Sequence, residues 1–281
     1  MFKDGLLGGK RILVTGGGTG LGRSITQRYA ELGASLVICG RREEVLKSAA
    51  AEIGQQTGRP VEWHGCDVRD AKAVDAMMDR IWEGGPLTGL LNNAAGNFIA
   101  RTETLSPRAF DAILNIVLHG TAYCTLAAGR RWIAAGQPGT VLAIGTTAAF
   151  TGGPYTTASA AAKAGVLAMM RSLAVEWGPK RIRTAVVAPG LFPTAGAWER
   201  LYPASARPEP QEMGVPLRRV GAHEELSNLL TYLMSDQAGY ISGECIVIDG
   251  GRWMQGVGGN IARTLEDWTE ADWEAFRSGN G

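Results

Sequence analysis

The sequence predicts a single α/β domain in which helices cover both faces of a doubly wound parallel sheet. Short runs of apolar and β-branched residues alternate with longer helical patterns along the chain. The length of 281 residues suits one domain with one core. The sequence contains no repeat of solenoid length and no low-complexity linker. Strands separated by helices require crossover connections, which place the strands parallel in a sheet that is buried on both faces.

Seven runs are predicted to form the strands of this sheet. Each run is short and rich in β-branched or aliphatic residues, and a helical pattern separates it from the next run. The predicted strands are Arg11–Thr15, Ser35–Cys39, Val61–Cys66, Leu87–Leu91, Thr140–Ile144, Thr184–Val187 and Cys245–Ile248.

Two segments interrupt this alternation. Residues 190–216 contain prolines at positions 193, 203, 208, 210 and 216, which is too many for a continuous helix, so we expect a substrate loop there. Residues 252–281 are expected to form a C-terminal tail. In this tail Thr269 and Asp272 have the spacing of a capping box, which predicts a final short helix. We expect its aromatic residues, Trp273 and Phe276, to pack against the body of the domain or a neighbouring subunit.

The overall composition excludes several classes of function. Lys and Arg total 28 and Asp and Glu total 27, so nothing favours a nucleic-acid or membrane-surface binder. No segment approaches the length of a membrane span and the N-terminal apolar run is too short for a signal peptide, so we expect a cytoplasmic protein with no membrane partner. The cysteines form no metal-binding or redox grouping, which favours buried reduced thiols at Cys39, Cys66, Cys124 and Cys245.

A glycine-rich loop follows the first predicted strand and opens the first predicted helix. Its sequence, Thr15-Gly-Gly-Gly-Thr-Gly-Leu-Gly22, permits a tight turn and a close approach of backbone N–H groups to a diphosphate at the positive end of the helix. A glycine-rich string alone is a weak signal, but the flanking strand and helix are the context that a dinucleotide site requires. The predicted cofactor-binding residues of this loop are Gly16, Gly17, Gly18, Thr19, Gly20 and Leu21.

The end of the second predicted strand favours NADP over NAD. Sites that favour NAD carry an acidic residue near this point to bind the ribose 2′-hydroxyl group. Here the sequence is Cys39-Gly-Arg-Arg42, with two guanidinium groups in place of a carboxylate. Because arginine binds phosphate in a bidentate manner, we expect Arg41 and Arg42 to contact the 2′-phosphate of NADP(H).

These motifs, together with Asn92-Asn-Ala-Ala-Gly96, resemble the short-chain dehydrogenase/reductase family. The resemblance extends from about residue 10 to residue 251, in the right order and spacing. It implies a Rossmann-type sheet, a homotetramer and a nicotinamide cofactor. It also implies that Asp67 lies beside the adenine and Lys163 on the nicotinamide ribose. It assigns further cofactor contacts to Asn93, Ala94 and Gly96, and to Pro189, Gly190 and Phe192 in a segment, 189–192, that closes over the nicotinamide.

The catalytic positions depart from the pattern of this family. Ordinary members protonate a carbonyl oxygen with a tyrosine whose pKa is lowered by a lysine, and an asparagine and a serine complete the set. Alignment on Lys163 puts Ser159 at the tyrosine position, Thr146 at the serine position and Val117 at the asparagine position. An aliphatic hydroxyl has a far higher pKa than a phenol, so Ser159 is a poor proton donor at neutral pH. The sequence therefore argues against simple ketone reduction.

One branch of the family, the 2,4-dienoyl-CoA reductases, departs from the pattern in the same way. The chain resembles the mitochondrial type over the stretches 92–99, 105–107, 116–118, 120–122, 159–165, 176–178, 196–200 and 249–251. This resemblance implies hydride delivery from NADPH to C5 of a 2,4-dienoyl thioester of coenzyme A, with a 3-enoyl thioester as product. It also implies that Asn97 binds the thioester carbonyl and that Arg69, Phe98 and Arg200 hold the substrate. A thioester oxygen that gains negative charge needs hydrogen-bond donors more than a phenolic acid, which fits Ser159.

The source of the proton is open at this point. The branch also uses a tyrosine two positions beyond the serine position, and this chain has Ala148 there. Tyr155 is the nearest replacement, although a packing or surface role is about equally expected. A water molecule held by Lys163 and Ser159 is the other candidate. His119 lies in a long apolar helix and is expected to be a packed or interface residue.

Two other functions fit the same residues. The first is an NADP-dependent 3-oxoacyl or ketone reductase that uses Tyr155 as its acid. The second is a catalytically silent NADP-binding protein, which the loss of the expected polar side chains at positions 117, 148 and 159 would favour. The presence of Asn97, Phe98 and Lys163 argues against a silent protein, because a site without chemistry has little physical need for them.

Overall fold

The strands of the computed structural model form one open parallel sheet. The structure describes residues 2–194, 214–256 and 265–278. Seven strands lie in the order β3-β2-β1-β4-β5-β6-β7, and every neighbouring pair is parallel. All seven predicted strands are therefore confirmed, as is the doubly wound fold class. The strands are β1 Arg11–Thr15, β2 Ser35–Gly40, β3 Val61–Gly65, β4 Gly89–Asn92, β5 Gly139–Ile144, β6 Ile182–Pro189 and β7 Glu244–Ile248.

Helices and one wide helical turn connect these strands. A π-helical turn, Asn115–His119, joins α4 to α5, so this part of the chain is not one regular α-helix. The helices of the described segments are α1 Gly20–Glu31, α2 Glu43–Thr57, α3 Ala71–Glu83, α4 Pro107–Leu114, α5 Gly120–Ala135, α6 Ala148–Thr151, α7 Thr157–Trp177, α8 His223–Met234 and α9 Glu270–Arg277.

The sheet separates two apolar layers, because successive side chains of a strand point to opposite faces. In β1, Ile12 and Val14 belong to the layer that α1, α2 and α8 cover, whereas Leu13 belongs to the layer that α3, α5 and α7 cover. Tyr29 is fully buried in the first layer and Trp132 in the second. Burial on both faces explains why the strands are almost uniformly apolar.

The order of the strands locates the crevice in which a ligand can bind. Strand β1 lies between β2 and β4, so the chain builds the sheet first in one direction from β1 and then in the other. Such a reversal leaves an opening at the carboxyl ends of the two strands where the direction changes. The loops after β1 and β4 border this opening, and they carry the glycine-rich motif and the Asn92–Gly96 motif.

Two apolar helical stretches are longer than the sequence analysis expected. Residues Pro107–Ala135 and Thr157–Lys180 span 29 and 24 residues, and the most apolar 18-residue windows in them have mean hydropathies of 1.3 and 1.2, which is long and apolar enough to cross a membrane. The expectation that no segment approaches that length was therefore wrong. Half of the most apolar window in each stretch is buried in the fold, and Trp132 and Met170 are core residues. Core helices have the same length and hydropathy, so this property is weak support for a membrane span.

Two smaller predictions are confirmed. The side chains and backbones of Thr269 and Asp272 form the expected reciprocal capping box at the start of α9. The rings of Trp273 and Phe276 contact Trp268 of the same tail, with centroid separations of 4.8 Å and 5.6 Å, so their expected packing against the domain body or a neighbouring subunit stays a prediction. All four cysteines are free thiols, and burial raises the pKa of each of them: Cys39, Cys66, Cys124 and Cys245.

Candidate active site

The glycine-rich loop lies at the carboxyl end of β1 and leads into the first turn of α1. Gly16 has a φ of 67°, in the left-handed region that favours glycine. A side chain at Gly22 would overlap Nδ2 of Asn93 and the carbonyl oxygen of Gly16. The loop therefore folds closely onto the neighbouring strand end, and it leads into the first turn of α1, whose backbone N–H groups have no partner within the helix. This cradle fits a dinucleotide diphosphate.

Asn93 and Ala94 hold this loop in place. The Asn93 side chain donates to the carbonyl oxygens of Thr15 and Gly16, at 3.0 Å and 3.3 Å. The backbone amides of Asn93 and Ala94 both donate to the hydroxyl oxygen of Thr15, at 3.0 Å. The sequence predicts cofactor contacts for these two residues, and in the structure they also position the loop expected to bind the diphosphate.

The adenosine end of the predicted site carries an ion pair that the sequence did not indicate. Arg69 donates to both carboxylate oxygens of Asp67, with the Nε–Oδ1 distance at 2.9 Å and the Nη2–Oδ2 distance at 2.5 Å. These hydrogen bonds lower the pKa of the Asp67 carboxyl group. The two residues were predicted to bind the adenine and the substrate separately. In the structure each is the partner of the other.

Arg41 and Arg42 lie between β2 and α2, and both are exposed. We expect replacing either with alanine to weaken NADPH binding about tenfold and to leave NADH binding nearly unchanged, because only NADPH presents a 2′-phosphate to a guanidinium group. Dissociation constants for both cofactors, measured by fluorescence titration, would check this. Arg59→Ala, at the opposite end of α2 and also exposed, is the matched control. An equal loss of affinity for NADH would contradict the prediction.

Lys163 is a buried amine in the middle of α7. Its ammonium group donates to the carbonyl oxygen of Ile144 at the end of β5, and burial lowers its pKa to about 8. Ser159 lies one turn earlier on the same face of α7. Thr146 follows β5, and its hydroxyl oxygen accepts a hydrogen bond from the amide of Ala148 at 3.3 Å. The hydrogen of the Thr146 hydroxyl group therefore remains available for donation.

Four of the residues predicted to act in catalysis or substrate binding line one pocket. Asn97 and Phe98 approach it from the loop after β4, Tyr155 from the loop before α7, and Ser159 from the first turn of α7. Thr146, Lys163 and Arg69 are not among its lining residues. The remaining lining residues are Ala100, Thr102, Leu105, Ile113, Thr156, Thr157 and Ala158.

A larger cavity of about 70 Å³ lies beside β7. Its lining includes Phe192, Arg219, Glu225 and Asp249 but none of the predicted catalytic residues. We assign the chemistry to the smaller pocket, which we call the Asn97 pocket, because potential hydrogen-bond donors and acceptors converge there. Volume alone does not distinguish a reactive site.

The orientation of the Asn97 amide follows from its hydrogen bond. The backbone N–H of Phe98 donates to the side-chain oxygen of Asn97 at 2.9 Å. Because a backbone N–H can only donate, Oδ1 must face it, and Nδ2 must lie on the other side of the amide group. Within the described part of the chain, Nδ2 has no hydrogen-bond partner. The pocket therefore contains a neutral N–H donor that is free to bind an oxygen atom.

Tyr155 holds an unusual backbone conformation at the edge of the Asn97 pocket. Its φ is 61°, which is strained for a residue with a side chain. The amide of Ala100 donates to its carbonyl oxygen at 3.0 Å and so joins this loop to the loop that carries Asn97. The side chain is 60% exposed, so its hydroxyl group is accessible to solvent and to a ligand.

The other predicted residues lie in several places. Val117 is fully buried in an apolar cluster beneath Phe98, so no polar group replaces the asparagine of ordinary family members. His119 is exposed and its Nδ1 lies 2.8 Å from the side-chain oxygen of Asn115, so it is not packed in the core of this chain. Pro189 is the last residue of β6, and the amide of Gly190 donates to Ile248. Arg200 lies outside the described residues.

Comparison with known proteins gives a consistent family. A family model described as enoyl-(acyl carrier protein) reductase matches residues 16–252. A probable 2,4-dienoyl-CoA reductase of Bacillus subtilis, described as (2E)-enoyl-CoA-producing, is 42% identical over 87% of this chain and 97% of its own length. A probable 2,4-dienoyl-CoA reductase 3 of Caenorhabditis elegans, described as (3E)-enoyl-CoA-producing, is 39% identical over 97% of this chain and 90% of its own length.

Solved structures show the same fold. A short-chain dehydrogenase from Bacillus anthracis superposes with a TM-score of 0.78 at 42% identity, and the match covers 86% of this chain and 96% of that one. The citronellol catabolism dehydrogenase AtuB of Pseudomonas aeruginosa superposes with a TM-score of 0.79 at 32% identity. This match covers 90% of this chain and 98% of that one. A shared architecture does not fix the substrate, so the substrate of this chain has to be argued from its own pocket.

Proposed function

The chain belongs to the short-chain dehydrogenase/reductase family, and we propose that within it the chain uses NADPH to reduce 2,4-dienoyl thioesters of coenzyme A. Oxidoreductase chemistry with a nicotinamide cofactor follows from the family. The dienoyl thioester, the preference for NADP and a homotetrameric assembly are the proposed parts. The relatives described as 2,4-dienoyl-CoA reductases support the substrate class.

The donor set of the Asn97 pocket carries this proposal. The Asn97 amide offers an unpartnered N–H, while the position of the usual phenolic acid holds Ser159. A ketone that becomes an alcohol must receive a proton on its oxygen, which calls for an acid of suitable pKa. A thioester oxygen that gains charge only transiently requires neutral donors at fixed positions. The pocket has the second arrangement.

The proposed reaction assigns a task to each of these groups. The reduced nicotinamide, when bound, supplies a hydride to C5 of the dienoyl chain. Electron density moves toward the thioester oxygen, and Asn97 Nδ2–H stabilises the resulting dienolate by donating to that oxygen. A proton then adds to the chain near Cα and leaves a 3-enoyl thioester, or it adds at C4 and leaves a 2-enoyl thioester. Hydride and proton together complete a two-electron reduction.

The position of the product double bond reports where the proton is delivered. The two dienoyl-CoA reductase relatives are described with different products, one a 2E-enoyl and the other a 3E-enoyl thioester. We propose the 3-enoyl product for this chain, with Tyr155 or a water molecule near Ser159 and Lys163 as the proton source. Tyr155 is in the pocket, and the Lys163 ammonium can replace a proton that a water molecule gives up.

Purified protein with NADPH and a short 2,4-dienoyl-CoA tests the proposal. We expect NADPH oxidation with the dienoyl thioester and little with a 3-oxoacyl-CoA of the same length. NMR of the product in deuterated water would identify the carbon that receives the proton. Oxidation with the 3-oxoacyl thioester alone would contradict the proposal. Tight NADPH binding without turnover of any acyl thioester would instead indicate the catalytically silent protein.

A second candidate function rests on the position of Tyr155. Its accessible phenol lies in the same pocket as Asn97 and could act as the acid of a 3-oxoacyl or ketone reductase. In that case Tyr155→Phe would abolish activity and Asn97→Ala would leave much of it. The dienoyl proposal expects Asn97→Ala to have the larger effect, so the two variants measured side by side distinguish the functions.

A further inference from the structure

His223, the first residue of α8, connects two segments that are far apart in sequence. Its Nδ1 lies 2.9 Å from the hydroxyl oxygen of Ser24 in α1. Its Nε2 lies 2.8 Å from the carbonyl oxygen of Pro193, in the segment that follows β6. The hydroxyl oxygen of Ser24 also lies 3.3 Å from the carbonyl oxygen of Gly20. One half-buried imidazole ring thus joins the first turn of α1 to the end of the segment after β6.

The hydrogen bonds of the ring follow from its partners. The Pro193 carbonyl can only accept, so Nε2 must carry a hydrogen atom. The Ser24 hydroxyl group has one hydrogen atom, so it either donates to Nδ1 or donates to Gly20 and accepts from Nδ1. Both ring nitrogens are therefore partnered, and the ring forms a two-ended bridge that an aliphatic side chain could not replace.

The segment after β6 also contacts the glycine-rich loop directly. A Cβ atom added to Gly20 would lie 3.4 Å from the methyl carbon of Thr194. The segment before α8 holds the same stretch from the other side, because the amide of Gly221 donates to Leu191 at 2.9 Å and the ring of Phe192 lies against Gly221. Residues 191–194 are thus fixed between the start of α1 and the start of α8.

These contacts place His223 between the two halves of the proposed cofactor site. The amides at the start of α1 are proposed to bind the diphosphate, and residues 189–192 are proposed to cover the nicotinamide. The distance between these two parts determines whether the bound nicotinamide lies next to the Asn97 pocket. A loose connection would weaken cofactor binding and spread the positions of the hydride donor, and a misplacement of about 1 Å is enough to slow a reaction strongly.

We propose that His223 is a positioning residue that sets the spacing between the diphosphate-binding and nicotinamide-covering parts of the site through Ser24 and Pro193. The inference rests on the proposed function only in that the ligand is a nicotinamide dinucleotide. It assigns to His223 a role in cofactor binding and orientation, and none in contact with the acyl thioester.

The test compares replacements that break or keep the two-ended bridge. His223→Leu fills the space but removes both hydrogen bonds, and we expect it to raise the dissociation constant for NADPH about tenfold and to lower kcat. His223→Gln carries a donor and an acceptor on one planar group, and we expect it to restore the NADPH affinity to within about threefold of wild type. The KM for the acyl thioester should stay constant in both variants.

Ser227→Ala is the matched control. Its hydroxyl group donates to the carbonyl oxygen of His223 at 2.8 Å and makes no hydrogen bond to residues 190–194, the described part of the segment after β6. We expect Ser227→Ala to lower the thermal midpoint of unfolding without changing the NADPH affinity. If His223→Leu and Ser227→Ala change affinity equally, or if His223→Leu leaves the affinity unchanged, the proposal is overturned.

A double-mutant cycle gives a second, independent measurement. Ser24→Ala alone should raise the dissociation constant about threefold, and in the His223→Leu background it should have almost no further effect, because the shared hydrogen bond is already gone. If His223→Leu does not fold, Ser24→Ala and His223→Gln still decide the question, and wild-type affinity in Ser24→Ala would overturn the proposal. All binding measurements omit the acyl thioester. The binding result can therefore be interpreted even if the protein does not reduce a dienoyl thioester. If the protein prefers NADH, the same titrations are made with NADH.

Discussion

Asn97→Ala is expected to lower kcat for a 2,4-dienoyl-CoA by about 100- to 1000-fold, the range for loss of one preorganised donor to an oxyanion. The reason is the fixed orientation of the amide. The Phe98 N–H holds Oδ1 at 2.9 Å, so the amide orientation is fixed before substrate arrives, and we expect Nδ2 to bind the substrate oxygen without reorganisation. A donor that is already in place stabilises the dienolate more than a water molecule that has to reorient.

Steady-state rates and NADPH titrations on the same preparations would measure this effect. The NADPH affinity of Asn97→Ala should match that of wild type, which separates a lost donor from a collapsed site. Asn115→Ala is a suitable control, since Asn115 also uses its side-chain oxygen in a local contact, with His119, but lies outside the Asn97 pocket. A decrease in kcat of less than about fivefold would contradict the assigned role of Asn97.

The sheet could be predicted from local sequence, and the small errors have physical causes. The fourth strand was predicted to begin at Leu87, but the first paired residue is Gly89. Leu87 is already buried, and its carbonyl oxygen accepts from the indole of Trp132 at 2.6 Å, so burial begins before strand pairing does. The sixth strand starts earlier than predicted because it includes Arg183, whose guanidinium group donates to the carbonyl oxygen of Ser235 at 2.9 Å.

The candidate site was predictable only where the chain carries a family motif. The resemblance brought Asn97, Phe98 and Ser159 into the site, and the structure puts all three in one pocket. No motif pointed to His223, since its contact with Ser24 joins residues 199 positions apart and depends on how α1 and α8 pack. The pairing of Asp67 with Arg69 was missed for a related reason. Two opposite charges near each other in sequence can both point into solvent or can form an ion pair. The loop geometry determines which of these occurs.

The second large effect concerns Lys163, whose buried ammonium group has a pKa of about 8. We expect Lys163→Met to reduce kcat/KM at least about 100-fold, because it removes the cation that the resemblance puts on the nicotinamide ribose and that can supply protons to the pocket. Lys180→Met, an exposed lysine just beyond the end of α7, is the matched control and should retain wild-type activity. In the wild type, kcat/KM should fall as the pH rises through about 8, since the neutral amine can neither donate as strongly nor attract anionic groups.

The lowered pKa of Lys163 also predicts how stability depends on pH. Stability should rise with pH where activity falls. Burial lowers the Lys163 pKa from 10.5 to about 8, so between these values the folded chain binds fewer protons than the unfolded chain. The free energy of unfolding should therefore rise across this window, by about 3 kcal/mol from this residue alone. Below a pH of about 8 both states carry the proton, and the cost of burying the charge is fully present.

Denaturant titrations at several pH values, on wild type and Lys163→Met, would isolate this contribution as the difference between the two pH slopes. The variant should lack the rise, while Lys180→Met should keep it. Activity and stability then respond to alkaline pH in opposite directions through one amine. The chain retains a charged group where burial is costly because the protonated form is the one that the proposed reaction uses. Parallel slopes in wild type and Lys163→Met would show that the amine is not desolvated in solution, and the proposed role of burial in setting its pKa would be wrong.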